Sequence, residues 1–155
     1  MDDSAWSVRV YYEDTDSGGV VYHANYLKFM ERARTEWLRR RGFEQDELAR
    51  HHNVIFAVRQ MSVDFLKPAR FNDQLLVLAR LGRAGRASLF FDQAVLRQAA
   101  PDSAAKSANR SCDYDTLIRD KDKLLCTASV KVACLTADGL RPRALPQPLL
   151  MEISE

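Results

Sequence analysis

Three carboxylates, two glycines and a histidine fall within the run Glu13-Asp14-Thr15-Asp16-Ser17-Gly18-Gly19-Val20-Val21-Tyr22-His23-Ala24-Asn25. Apolar residues recur at helical spacing directly after it, so the run leads into the start of a helix. A helix start exposes unpaired backbone N–H groups and about half a positive charge. A carbonyl oxygen held there is polarised, and one such donor contributes about 2.7–4 kcal/mol to a developing oxyanion. Asp16 lies seven residues before His23, across the flexible Gly18-Gly19 pair, so the loop can fold back and set a carboxylate beside the helix start. That carboxylate can attack the carbonyl or deprotonate a water that does. The competing reading is that Asp14, Thr15 and Asp16 are turn residues and caps, their commonest role. Residue types alone leave both open.

Other sources of reactivity fail on spacing. Asp14-x-Asp16-x-Gly18-Gly19 opens like a calcium-binding EF-hand loop, with Gly19 at the required sixth position. Its fifth position is Gly18 rather than a ligand, its twelfth is Asn25 rather than Glu, and a strand pattern precedes it. Ser88 stands in Arg86-Ala87-Ser88-Leu89-Phe90, outside any G-x-S-x-G elbow. Gly82 and Gly85 are spaced for neither a dinucleotide fingerprint nor a Walker A loop. Cys112, Cys126 and Cys134 share no metal-ligand spacing and either alternate with core positions or lie in a loop, which argues against a cysteine nucleophile. Adjacent His51 and His52 cannot easily face one metal and read as exposed surface. No metal and no cofactor is expected. Glu31, flanked three residues away by Lys28 and Arg34, reads as part of a surface ion-pair row. Lys67, Arg70, Arg83 and Arg86 cluster at expected strand ends, where they either hold a phosphate-bearing ligand or are simply solvated.

The elements that must position the acidic run follow from periodicity. Trp6, Val8, Val10 and Tyr12 alternate as in a strand. From about Ala24 to Arg41, Tyr26, Leu27, Phe29, Met30, Ala33, Trp37 and Leu38 follow helical spacing closely enough to predict a largely enclosed helix. Arg39-Arg40-Arg41 suits the negative end of its dipole, and Gly42 sits where a C′ residue should. A short polar helix is expected near Glu44–His51. Period-two alternation from Ile55 to Phe65 stops at Lys67-Pro68. Gln74–Leu81 and Ala87–Arg97 read as strands joined through Gly82–Arg86, and Gln98–Arg110 as an exposed loop. Lys123–Leu135 is the last strong strand, with Leu124, Cys126, Ala128, Val130, Val132 and Cys134 on one face, before a proline-bearing tail at Arg141–Pro148. A long helix followed by four or more antiparallel strands makes an α+β domain whose sheet covers the helix, and its spare edges predict an oligomer.

Bulk properties narrow the classes. The length of 155 residues fits a single domain spanning 1–155. With 46% hydrophobic and 28% charged residues the composition is that of a soluble globular protein. A net charge of +2 gives no ground for a nucleic-acid or membrane-surface partner. No apolar run is long enough to span a bilayer, Met1-Asp2-Asp3-Ser4-Ala5 does not resemble a secretory signal, and three cysteines fit a reducing compartment. A cytoplasmic location is therefore expected.

The stretch Val10–Tyr26, continued through Phe29-Met30-Glu31-Arg32-Ala33-Arg34, resembles the signature of the 4-hydroxybenzoyl-CoA thioesterase family. The likeness is greatest to its YbgC-like branch, bacterial acyl-CoA thioesterases associated with the Tol–Pal system. Asp64–Ala69, Arg86–Leu89 and Arg141–Pro146 also look like that branch, so the resemblance covers most of the chain. It implies a hotdog fold, a long helix wrapped by an antiparallel sheet, in homodimers that often pair into homotetramers. It further implies hydrolysis of acyl-CoA, with acyl carrier protein as a second possible donor, without metal or cofactor. On this resemblance Asp16 is the catalytic acid and the amide of His23 polarises the carbonyl, with the His23 side chain a further candidate. Tyr22, Lys67 and Arg86 become substrate-binding candidates at a site between subunits. The stretch from Gln98 to about Asp122 is longer than the hairpin connection usual in that branch.

Overall fold

The stripe along the long helix forms α1, His23–Arg40. A computed structural model describes residues 3–98 and 109–154 of the chain. Tyr26, Phe29, Met30, Ala33, Trp37 and Leu38 are all buried, because residues three and four apart share one helix face. Leu27 leaves the stripe: it is exposed, on the side that also carries Lys28, Glu31 and Arg32. The helix is thus enclosed on one side rather than all round. The chain turns away from it at Gly42, whose φ of +88° is a left-handed conformation that costs other residues about 1–2 kcal/mol. α2 follows at Gln45–His52, close to its expected place.

Among the described residues, six antiparallel strands wrap the buried face. They are β1 (Asp3–Arg9), β2 (Val54–Phe65), β3 (Gln74–Ala84), β4 (Ser88–Arg97), β5 (Asn109–Cys112) and β6 (Leu124–Thr136), in the order β2-β6-β4-β3-β1-β5. Extra residues at Arg59, Gly82 and Leu125 shift the register between neighbouring strands. Such bulges bend and twist a sheet, which here lets it curl about α1. At the centre, Trp37 meets Phe91 edge-on, 5.1 Å between ring centroids. Among the described residues β2 pairs only with β6, which leaves its far edge open.

Four expectations need correcting. β1 ends at Arg9, and Tyr12 lies in a short 3-10 turn, Tyr12–Asp14, where it stacks on Phe71 at 3.8 Å instead of continuing the strand. Leu124 does not share the inner face of β6: the bulge at Leu125 sends Leu125 into the main core and Leu124 to the outer face. Asn109 and Arg110, expected at the end of an exposed loop, instead begin β5, which pairs with β1 and leads into α3, Tyr114–Leu117, capped by the Asp113 carboxylate accepting from the Thr116 amide at 3.3 Å. Tyr114, with Leu117 and Ile118, covers Leu76, Leu78, Ala94 and Leu96 on the outer sheet face. Residues 99–108 of that expected loop lie outside the described residues. Finally, the chain runs on from the expected proline-bearing tail into α4, Gln147–Ile153, which takes in only Gln147 and Pro148 of that tail and whose Leu149 is fully buried in the main core. Pro148 sits in its first turn, where a missing N–H costs nothing.

Candidate active site

The acidic run folds as a hairpin that hands the chain directly to α1. Thr15 bridges Val21, and Val20 bridges Arg70. The Asp16 amide donates to the Val20 carbonyl at 2.9 Å, and the Gly19 amide to the Asp16 carbonyl at 3.0 Å. Ser17, Gly18 and Gly19 form the tip, and Gly19 takes φ +78°, the left-handed third position of a three-residue hairpin loop. The Tyr22 amide donates to the Asp14 carbonyl at 2.9 Å, and α1 begins at the next residue.

The three carboxylates now separate by role. Asp14 is structural: Oδ2 accepts the Tyr11 amide and Oδ1 accepts Asn25 Nδ2, both at 2.9 Å. It therefore ties the hairpin to the first turn of α1. Glu13 is exposed on the 3-10 turn. Asp16 Oδ1 accepts the Gly18 amide at 2.8 Å, and its Oδ2 has no partner among the described residues. Thr15 is extended, so Asp14 and Asp16 leave the same side of the chain, about 7 Å apart along it. Asp14 grips the helix start; Asp16 lies two residues farther along the same hairpin arm, opposite Val20, with one oxygen unpartnered among the described residues.

The helix start itself is open. The N-cap residue, Tyr22, makes no side-chain cap, and the first turn carries no acidic residue. The Asn25 amide turns back to the Tyr22 carbonyl at 2.8 Å, leaving the His23 and Ala24 amides without partners among the described residues. These are the donors a polarised carbonyl needs. The His23 ring lies 4.4 Å from Tyr22 and 6.3 Å from Phe65, both exposed. Tyr26, one turn on, accepts the Ala69 amide at 2.9 Å, and burial raises its phenol pKa. Asp16 and His23 are exposed and line neither of the two α1 cavities, and the exposed Tyr22 and Phe65 rings border His23.

The basic residues do not form one cluster. Lys67 and Arg70 stand at the site's end of the sheet, where Lys67 Nζ donates to the Lys121 carbonyl at 2.9 Å. Arg83 and Arg86 sit at the β3–β4 hairpin, and Arg83 covers the Phe90 ring at 3.7 Å. The length of β3 separates the two groups by about 30 Å within one chain. The thiols are poor nucleophiles: burial pushes Cys112 up to about 11 and Cys126 up to about 12.

Glu31 makes no ion pair among the described residues; the Thr35 hydroxyl is 3.5 Å away. Its expected partner Arg34 is buried instead, donating to Gln93 Oε1 at 2.9 Å. The ion-pair expectation missed this, although Met30, Ala33, Arg34 and Trp37 fall at i, i+3, i+4 and i+7 and so place Arg34 on the apolar stripe.

A model of the Thioesterase superfamily matches residues 18–103, from the hairpin tip through α1 and β2–β4. The chain belongs to the thioesterase superfamily. It is 38% identical to the acyl-CoA thioester hydrolase YbgC of Escherichia coli over 97% of this chain and 95% of that protein. It is 37% identical to the acyl-CoA thioesterase YbgC of Haemophilus influenzae, covering 92% of this chain and 88% of the other. The three-dimensional structure of 4-hydroxybenzoyl-CoA thioesterase from a Pseudomonas species aligns over 99% of each chain with a TM-score of 0.75 at 17% identity. That likeness is one of fold, and the fold of this superfamily member is the α+β hotdog.

Proposed function

We propose that this chain hydrolyses acyl-CoA thioesters, the activity for which its Escherichia coli and Haemophilus influenzae relatives are named, at the junction of the Asp16 hairpin and α1. One observation carries the assignment: the His23 and Ala24 amides and one Asp16 oxygen, unpartnered among the described residues, belong to two segments clamped together through Asp14 and Asn25. The thioester carbonyl oxygen accepts from the open amides. Asp16 either attacks the carbonyl carbon or takes a proton from a water that does. As the tetrahedral centre collapses, the C–S bond breaks and CoA leaves as thiolate, to be protonated from solvent or through His23. In the attack by Asp16, water then hydrolyses the mixed anhydride and frees the carboxylate.

Tyr22 and Lys67 lie at the same end of the sheet and are assigned to the CoA arm, whereas Arg86 reaches such a site only from another subunit. A homo-oligomer, dimer or tetramer, supplies that subunit. The open edge of β2 and the exposed Tyr22 and Phe65 rings beside His23 support association of this kind. Among the described residues no helix is long and apolar enough to cross a membrane. Three free cysteines accord with a cytoplasmic location, and the YbgC-like resemblance adds acyl carrier protein as an alternative donor and a link to the Tol–Pal system.

Thiol release from a panel of acyl-CoAs, followed with a chromogenic reagent, tests this. Asp16→Asn is expected to lower kcat/KM by about 10²–10⁴-fold, the usual contribution of a positioned acid or base. Near-normal turnover in Asp16→Asn removes the residue from the mechanism. Tight acyl-CoA binding with no thiol released would instead make the protein a non-catalytic acyl-binding module.

A further inference from the structure

Arg34 is a charged residue on the apolar stripe of α1, only 9% exposed. Its one hydrogen-bond acceptor among the described residues is Gln93 Oε1, and Gln93, itself fully buried, is fixed by donating Nε2 to the Met30 carbonyl at 3.0 Å. Burial pulls the guanidinium pKa down, and the nearby Glu31 charge only partly opposes this. A guanidinium carries five N–H donors, so a single neutral acceptor leaves most of its capacity unused. The remaining nitrogens are not sealed in the core; Arg34 borders open space on two sides.

That space is two adjoining cavities. The outer one, about 480 Å³, is an open groove between α1 and β2, with the exposed Leu27, Lys28 and Arg32 on one wall and Met61 on the other. The inner one, about 230 Å³, runs beneath α1 against Phe56 and Phe91. Glu31, Arg34 and Val58 line both. Leu27 is one turn beyond His23, so the outer cavity opens next to the turn assigned to the thioester carbonyl. The eleven residues from His23 to Arg34 span about 16 Å of helix axis, and helical side chains lean back toward the N-terminus. An extended acyl chain laid along α1 therefore brings its far end to the guanidinium.

We propose that Arg34, buried between these cavities, is a specificity-determining residue that selects acyl groups bearing an oxygen acceptor at the end far from the thioester over plain alkyl groups. This rests on the thioesterase reading of the helix start. A hydroxyl, keto or carboxylate oxygen supplies the acceptor that Gln93 alone does not. An alkyl end covers the guanidinium with nothing to bond, the situation in which a polar site rejects its analogue. Glu31 at the rim makes a carboxylate end gain less than a hydroxyl or keto end.

The test compares kcat/KM for acyl-CoAs of equal, medium chain length ending in methyl, hydroxyl, keto or carboxylate groups. Wild-type protein is expected to favour the oxygenated ends by about 10–100-fold, the range of a hydrogen bond to a charged group. In the double variant Arg34→Met/Gln93→Leu, which removes donor and acceptor together and strands neither, the ratio falls to within about threefold of unity. Arg34→Lys, which keeps the charge and loses the fork, gives an intermediate ratio. Equilibrium binding of the same esters to Asp16→Asn reads the preference independently of turnover. A flat wild-type series with brisk turnover, or a preference unchanged in the double variant, overturns the role of Arg34 and leaves the thioesterase reading standing. Absence of thiol release from every ester, with equal binding of all four, overturns both.

Discussion

Replacing Asp14 by alanine separates the residue that holds the hairpin from the residue assigned to the chemistry. Asp14 accepts from the Tyr11 amide and from Asn25 Nδ2, each at 2.9 Å. Asn25 is only 9% exposed, so Asp14→Ala strands a buried amide, at about 1–3 kcal/mol. The bond to the exposed Tyr11 amide adds about 1 kcal/mol, for a total near 3 kcal/mol. In a domain of 155 residues each kcal/mol moves Tm by about 2–4 °C, so a fall of about 6–12 °C is expected in a thermal melt. Asp16→Asn should leave Tm within about 2 °C, because Asp16 is exposed and an amide oxygen can still accept from Gly18. Asp14→Ala, Asn25→Ala and the double variant form a cycle whose coupling should be about 1 kcal/mol or more. A melt of Asp14→Ala within about 2 °C of wild type, or strict additivity in the cycle, would refute the idea that this pair clamps the hairpin to the helix.

Gly19→Ala places a side chain at φ +78° and should lower Tm by about 2–8 °C while reducing thiol release, since the strain falls on the hairpin that carries Asp16; an unchanged melt would contradict it. Tyr114→Ala uncovers Leu76, Leu78, Ala94 and Leu96, so light scattering should report association and the melt a loss of about 3–5 kcal/mol. An unaltered particle size and melt would show that α3 does not guard that face. Cys126 has a folded pKa of about 12 against an ordinary 9.0, so its thiolate forms more readily in the unfolded chain. Stability should accordingly be full below pH 9 and decline as pH rises from 9 toward 12, with a shallower decline in Cys126→Ala when urea midpoints are compared across that range.

The sequence by itself determined what depends on neighbours a few residues apart. α1 and its buried face were legible because Tyr26, Phe29, Met30, Ala33, Trp37 and Leu38 repeat every three and four residues. The same holds for the β3–β4 hairpin and for the glycine-rich approach to His23, where turn chemistry is written locally. Features that depend on distant partners were hidden. Leu124 faces outward because one extra residue, Leu125, is accommodated opposite β4, which no pattern within β6 announces. β5 and α3 take their places from β1 and the outer sheet face, and α4 from a core it meets only after folding. The basic residues parted because the length of a strand lies between them. Asp14 and Asp16 are the sharpest instance: two like carboxylates, two positions apart, given different work by where Asn25 happens to reach. Arg34 and Gln93 stand 59 positions apart, and only the packing of α1 on β4 joined them at the cavity wall.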